Sequence, residues 1–270
     1  MLSGEIDIAK PSDPIFVDED GNIYFVKSNP EGLSGVDVIK YHRNKSGEDS
    51  RFEIENIRHL DDSIVDRITG FTGDEDGNLF LSTAVNGYHK IIRISSDLEK
   101  VRITDFWPIP AMQGQEGFWL KDPEVISAHA GSDVLVAGQY IAQDTNIDLL
   151  IFKFGHDDLS ERGHAFIETE FNKIIDSPRS DKDGNVYVYG RTDEFMPHLV
   201  FGKYDGKGNL KENIHNGFWS TKGFNYTDNF WVDKEGLLFT LSNEPHEVKV
   251  NWINSNSYIW GSNATLASFR

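Results

Sequence analysis

An all-β fold of five repeated four-stranded antiparallel units, closed around an axis as a five-bladed propeller, follows from three features of this 270-residue sequence. A turn pattern returns at nearly constant intervals, a strand-like run follows each turn, and no stretch has a helical period of useful length. The pattern reads Val17-Asp-Glu-Asp-Gly-Asn-Ile-Tyr-Phe25, Gly73-Asp-Glu-Asp-Gly-Asn-Leu-Phe-Leu81, Ser180-Asp-Lys-Asp-Gly-Asn-Val-Tyr-Val188 and Val232-Asp-Lys-Glu-Gly-Leu-Leu-Phe-Thr240. A degenerate copy is Ala130-Gly-Ser-Asp-Val-Leu-Val136. Its glycines, Gly21, Gly77, Gly131, Gly184 and Gly236, lie 56, 54, 53 and 52 residues apart, so five units fill the chain as one domain over 1–270.

Each unit dictates its own strands. The Asp-Gly or Glu-Gly step supplies the positive-φ position of a hairpin, and the alternating β-branched and aromatic residues after it form the returning strand. A third strand is predicted at 37–41, 90–94, 149–154, 199–204 and 248–252, three of these ending in Lys and an aromatic residue. Polar turns such as Asn44-Lys-Ser-Gly and Asp205-Gly-Lys-Gly-Asn209 then lead into a weaker fourth strand. A lone four-stranded sheet cannot bury both faces, so units of this length stack as blades. The segment 62–67 is expected to be a turn rather than a helix, and Glu5–Ile8 is expected to close the ring against the last blade.

The Asp-x-Asp-Gly-Asn-aliphatic-Tyr-Val pattern, fullest at 181–188, resembles the blade repeat of known β-propeller families over the whole chain. That resemblance implies the fold and is silent on activity, because the pattern encodes a hairpin. In such a fold the strand before each hairpin is the innermost, and its first residue stands at one mouth of the central channel. Counting back from each glycine gives Asp13, Thr69, Asp122, Asp176 and Asp228. An aspartate recurring there is explained by Asx-turn bonding to nearby amides, or by convergence of carboxylates on a ligand or an acid–base task. Aromatic residues crowd the segments leading in: Phe118 and Trp119 before Asp122, and Trp219 and Tyr226 before Asp228. Flat rings suit the faces of sugars, and equally suit a wedge between blades.

A second and weaker resemblance is to the five-bladed glycoside hydrolases of the arabinanase and β-xylosidase type. Asp13-Pro14 resembles their base motif and Asp122-Pro123 the motif that tunes the acid, while Asp176-Ser177-Pro178 stands where they have Glu-Gly-Pro. The resemblance implies Asp13 as base, Asp176 as acid and Asp122 as the residue setting the acid's pKa. An Asp at 176 is one methylene shorter than Glu and sets the proton farther from the glycosidic oxygen. Glu116 and Glu124 are the nearby alternatives.

Composition removes other classes. A formal charge of −18 with no basic cluster opposes nucleic acid and anionic membrane surfaces. With no cysteine there is no disulfide, thiolate site or Cys nucleophile. The nine histidines form no metal or triad pattern; His129 is the one placed near the channel, its other reading being a buried, hydrogen-bonded histidine. No resident cofactor or protein-bound metal is expected. The Asp18, Asp20 and Asn22 spacing lacks the distal Glu of a calcium loop, although calcium in the central channel stays open. Lys40, Arg93, Lys153 and Lys203 read as solvent-facing or blade-bridging cations. The chain reads as soluble: cytoplasmic as written, and secreted if a signal peptide preceded it. The functional reading is a propeller that recognises a small polar ligand, a glycan, at the channel mouth through Asp13, Asp122, Asp176, Asp228, Trp119, Trp219, Phe118 and Tyr226. The alternatives are a divergent hydrolase using Asp13, Asp122 and Asp176, and a protein-interaction scaffold with its partner on one rim.

Overall fold

The computed structural model describes residues 15–28, 35–43, 52–65, 67–85, 88–106, 119–120, 123–129, 131–141, 147–169, 171, 173–174, 178–191, 199–215, 225–232, 237–244, 247–254 and 259–266. Among these residues every regular element is a strand. The first sheet holds β1 (Ile15–Val17), β2 (Ile23–Ser28), β3 (Val36–Arg43) and β4 (Phe52–Leu60), in that order. The second repeats the meander with β5 (Arg67–Gly73), β6 (Leu79–Val85), β7 (Tyr88–Ile94) and β8 (Val101–Phe106).

In the third sheet the first strand is in two pieces, β9 (Trp119–Leu120) and β10 (Glu124–Ser127), both paired with β11 (Asp133–Ile141). β12 (Ile147–Gly155) and β13 (Glu161–Ile167) complete that sheet. The next has the same split: β14 (Lys173–Ile174) and β15 (Arg179–Ser180) pair with β16 (Val186–Arg191), followed by β17 (Leu199–Tyr204) and β18 (Leu210–His215). The last runs β19 (Asn225–Val232), β20 (Leu237–Glu244), β21 (Glu247–Asn254) and β22 (Ile259–Leu266). The first, second, fourth and last sheets pair antiparallel along their whole order, as does β9 with β11.

The third strands expected from sequence all form, and 62–64 is the expected turn, closed by the Ile64 and Val65 amides donating to the Asp61 carbonyl. Glu5–Ile8 lies outside the described residues.

The chain divides into two compact units, and the division passes through the third sheet. The first unit holds 1–116, 122–136 and 153–162. Its core lies between the first and second sheets: Tyr24, Val26, Val36, Val38 and Leu60 meet Leu79, Leu81, Ile92, Ile94 and Leu98. Alternate residues of β2 supply this face, as the period-two pattern of a strand requires. β6 is different, since Leu79 to Thr83 are all buried, which means both faces of the second sheet are covered. β5 contacts both β1 and β10. The second unit holds 117–121, 137–152 and 163–270; there β16 is buried on both faces, and β15 contacts β19.

Candidate functional site

Three of the repeat hairpins take their geometry from one aspartate each. Asp18, Asp74 and Asp181 each accept the backbone N–H of the Asn four residues on, at 2.7 to 2.9 Å, and its side-chain amide at 2.7 to 2.8 Å. The following glycines sit at φ between 76° and 80°, where an L-residue is strained. The Tyr24 hydroxyl donates to Asp18 Oδ2 and the Tyr187 hydroxyl to Asp181 Oδ2, both at 3.0 Å. The calcium-like spacing of Asp18 and Asn22 is therefore spent on the turn's own donors. Among the described residues no cluster of three acidic or histidine side chains could hold a metal ion, and no helix is long and apolar enough to cross a membrane.

Three of the recurrent cations lie over aromatic rings instead of facing open solvent, and Arg93 also bridges two sheets, 3.6 Å from Asp157. Lys40, Arg93 and Lys203 lie directly across the strand pair from Tyr24, Phe80 and Tyr187, each with its charge 5.3 to 5.9 Å from the ring centroid. Lys40 is buried and pairs with Glu55 at 2.9 Å. The aliphatic stems cover the rings and the charges sit over the π faces, so these groups seal hairpins rather than coat a surface.

The positions read from sequence as the channel mouth are described only in part. Asp13, Phe118, Asp122, Asp176 and Trp219 lie outside the described residues, as does Glu116. Thr69 is described in full. It falls at a register break in β5, where Ile68 faces Thr83 but Gly70 faces Ser82. Its hydroxyl donates to the Pro123 carbonyl at 2.6 Å and lies 3.0 Å from Ser82 Oγ, which accepts the Val125 N–H at 2.8 Å. A hydroxyl has one proton, so Ser82 donates to Thr69 while accepting from Val125. The relay fastens β5 and β6 to the residue following Asp122. Sequence reasoning missed Ser82 and the Pro123 carbonyl, because a serine in a strand carries no signal of a partner 43 residues away.

The same interruption recurs. In β19, Tyr226 faces Ser242 and Phe230 faces Thr240, so the register breaks across Asp228. β14 ends with Ile174 facing Gly190, and β15 resumes with Arg179 facing Tyr187; Asp176 falls in the intervening sequence. Trp119 faces Ile141 at the head of β9, and Asp122 falls in the sequence between β9 and β10. Extra residues in an inner strand disrupt its ladder and turn side chains out of the two-faced alternation.

Glu124 opens β10 and is half-buried. His129 takes the hydrogen-bonded role. It follows β10, at the hairpin end of that strand, where Nδ1 lies 3.0 Å from Glu75 Oε1 in the turn of the second sheet. It is a hydrogen-bonded histidine between two hairpins.

No protein-family model matches this chain, and no curated protein does. Solved structures do resemble it. A protein described as TolB from Agrobacterium tumefaciens aligns with a TM-score of 0.51 at 13% identity, covering 94% of this chain and 80% of that one. TolB from Acinetobacter baumannii aligns at 0.50 and 11% identity, covering 95% of this chain and 55% of that one. The β-propeller domain of the trilobed protease from Pyrococcus furiosus aligns at 0.49 and 13% identity, covering 90% and 68%. At such identities the likeness speaks to fold alone, and it rests on the two TolB chains. Together with the repeated antiparallel four-stranded meanders, it shows a β-propeller fold.

Proposed function

We propose that the repeated sheets are five blades of one propeller spanning 1–270, and that the channel mouth at the opening ends of its inner strands binds a small polar ligand of the carbohydrate class. The observation supporting this reading is the recurring register break at or beside the predicted mouth positions: at Thr69, across Asp228, and between the strand pieces flanking Asp176. A break that served only a hairpin would fall at the other end of the strand. Bulges concentrate beside binding sites because they re-aim side chains. Asp13, Asp122, Asp176 and Asp228 then offer acceptors for sugar hydroxyls, while Phe118, Trp119, Trp219 and Tyr226 offer flat faces for the ring carbons.

Calorimetric titration with linear arabino- and xylo-oligosaccharides, on the wild type, Asp228→Asn and Trp219→Ala, tests the reading. Binding by the wild type that weakens roughly tenfold or more in both variants supports it, a tenfold loss corresponding to about 1.4 kcal/mol. A folded wild type that binds neither series overturns the carbohydrate assignment. The same proteins incubated with aryl α-L-arabinofuranoside and aryl β-D-xyloside separate binding from hydrolysis. Turnover abolished by both Asp13→Asn and Asp176→Asn would replace this reading with a hydrolase in which Asp13 is base, Asp176 acid and Asp122 the tuning residue.

A further inference from the structure

One of the buried hairpin sets has exchanged a member. In the first and fourth sheets the turn aspartate is completed by a tyrosine hydroxyl six residues on, Tyr24 for Asp18 and Tyr187 for Asp181. The second sheet keeps the rest of the frame: Asp74 holds Asn78 through both amides, and Arg93 lies over the ring six residues on. That ring is Phe80, which has no hydroxyl to give. Asp74 is only 2% exposed, so water cannot easily supply the missing donor.

The donor comes from a different sheet. His156, in the turn between β12 and β13, places Nε2 2.7 Å from Asp74 Oδ2, with its ring against Phe80 at 5.2 Å between centroids. Its Nδ1 lies 2.9 Å from Asp157 Oδ1. Asp157 is exposed and 3.6 Å from Arg93. Both ring nitrogens thus face carboxylates, and only an imidazolium donates from both. We propose that His156 is a proton-dependent latch that fastens the β12–β13 turn to the hairpin of the second sheet, in place of the tyrosine hydroxyl that this sheet lacks.

The charges around the latch agree with it. Asp74 and Asp157 face the ring directly; Arg93 stands behind Asp157, while Asp158 adjoins Asp157 and is itself faced by Arg162. The hydrogen bond to Asp74 raises His156 above the ordinary imidazole value; burial opposes that rise and Asp157 adds to it. Burial pushes Asp74 up, but the His156 and Asn78 donors outweigh it and hold the carboxyl below its usual value. A raised histidine means the folded chain holds the proton more tightly than the unfolded one. The latch's contribution is therefore full below about pH 6.5 and lost as pH rises through the folded pKa. On the acid side Asp74 reverses the sign, its contribution disappearing as pH falls below the ordinary carboxylate range. The latch is tightest in mild acid.

Histidine ring proton signals followed by NMR across pH, on the whole chain with His156→Gln as the assignment control, give the first reading. The expected result is a His156 titration above about 6.5, the ordinary imidazole value. Melting temperatures at about pH 6 and about pH 8 give the second: the wild type loses stability over this interval, and His156→Gln flattens the loss, because its amide can meet Asp74 without titrating. A third reading adds Phe80→Tyr to His156→Ala. A hydroxyl placed as in Tyr24 and Tyr187 raises the melting temperature again without restoring the pH dependence. Titration of His156 at or below 6.5, or an undiminished slope in His156→Gln, overturns the latch; no gain from Phe80→Tyr overturns the exchanged hydroxyl. The wild-type titration stands even if His156→Ala does not fold.

Discussion

Tyr187 and Asp181 form the most enclosed of the hairpin pairs, at 0% and 3% exposure, and they show what a single hydroxyl contributes. Removing it leaves Asp181 Oδ2 with the Asn185 amide and no route to water, an imbalance that costs about 1–3 kcal/mol. Asp18 is only half-buried, so solvent can partly replace the Tyr24 hydroxyl. Urea unfolding should therefore place Tyr187→Phe below the wild type by about 1–3 kcal/mol and Tyr24→Phe by less. Equal losses would mean that the hydroxyls act through packing alone. Tyr24 adds an alkaline signature. Burial first, and then Asp18, pushes its phenol well above the ordinary value, so the unfolded tyrosine ionises first and this part of the stability falls as pH rises above about 10. The donors on each aspartate were partly legible in the sequence, because the Asp-x-x-Gly-Asn spacing dictates the turn. The exchange at Phe80 was visible only as a Phe where two other copies have Tyr, and its replacement, His156, lies 82 residues from Asp74. Sequence spacing could not pair them.

Between elements, the same turn is solved in opposite ways. At the outer turns Leu98 and Leu159 hold φ at 61° and 53°, a region that costs an L-residue roughly 1–2 kcal/mol, whereas Gly208 holds φ at 89° in the corresponding turn between β17 and β18. Both leucines are almost fully enclosed. Burying such a side chain is worth about 1.5–3 kcal/mol, enough to offset the strain. Gly208 has no such choice, since a Cβ there would stand 2.3 Å from the Phe166 carbonyl oxygen. Leu98→Gly should relax the backbone yet destabilise, because lost burial and the cavity, about 2–5 kcal/mol for a leucine truncation, outweigh the strain relieved. A rise in melting temperature would refute that balance. A second glycine serves approach rather than conformation: a Cβ on Gly70 would lie 2.7 Å from the Val125 nitrogen and 2.8 Å from Ser82 Oγ. Gly70→Ala should cost about 1–3 kcal/mol by overpacking and break the bond by which Ser82 fastens β10. Loss of amide-exchange protection at Val125 beyond that of its strand neighbours would mark the broken bond. Nothing in the sequence distinguishes Gly70 from any strand glycine, because its reason is a backbone on another sheet.

At the scale of the whole molecule, the period of the turn glycines makes the meander order readable in the sequence, since a hairpin and its returning strand are local in sequence. Four of the five turn glycines, Gly21, Gly77, Gly131 and Gly184, are described, and all have the positive φ their turns demand. The residues proposed for the mouth were read from sequence only as positions, and what the structure adds beside two of those positions is the register break at Thr69 and across Asp228. The acidic balance acts over the entire chain. With 44 Asp and Glu against 26 Lys and Arg, the folded state holds a net −18 in a smaller volume than the unfolded chain does, and self-repulsion opposes folding at neutral pH and above. Salt shortens the reach of that repulsion from about 30 Å at 0.01 M to about 8 Å at 0.15 M. The melting temperature at pH 8 should therefore rise as sodium chloride is added over that range. Near pH 5, close to the sequence's isoelectric point of about 4.8, the net charge is much smaller and the same salt should do little. Salt acts on exposed charges far more than on the buried Asp74–His156 pair, so the salt effect at pH 8 should survive in His156→Gln. A salt response equal at the two pH values would mean that site-specific ion binding, not the chain's overall charge, sets it.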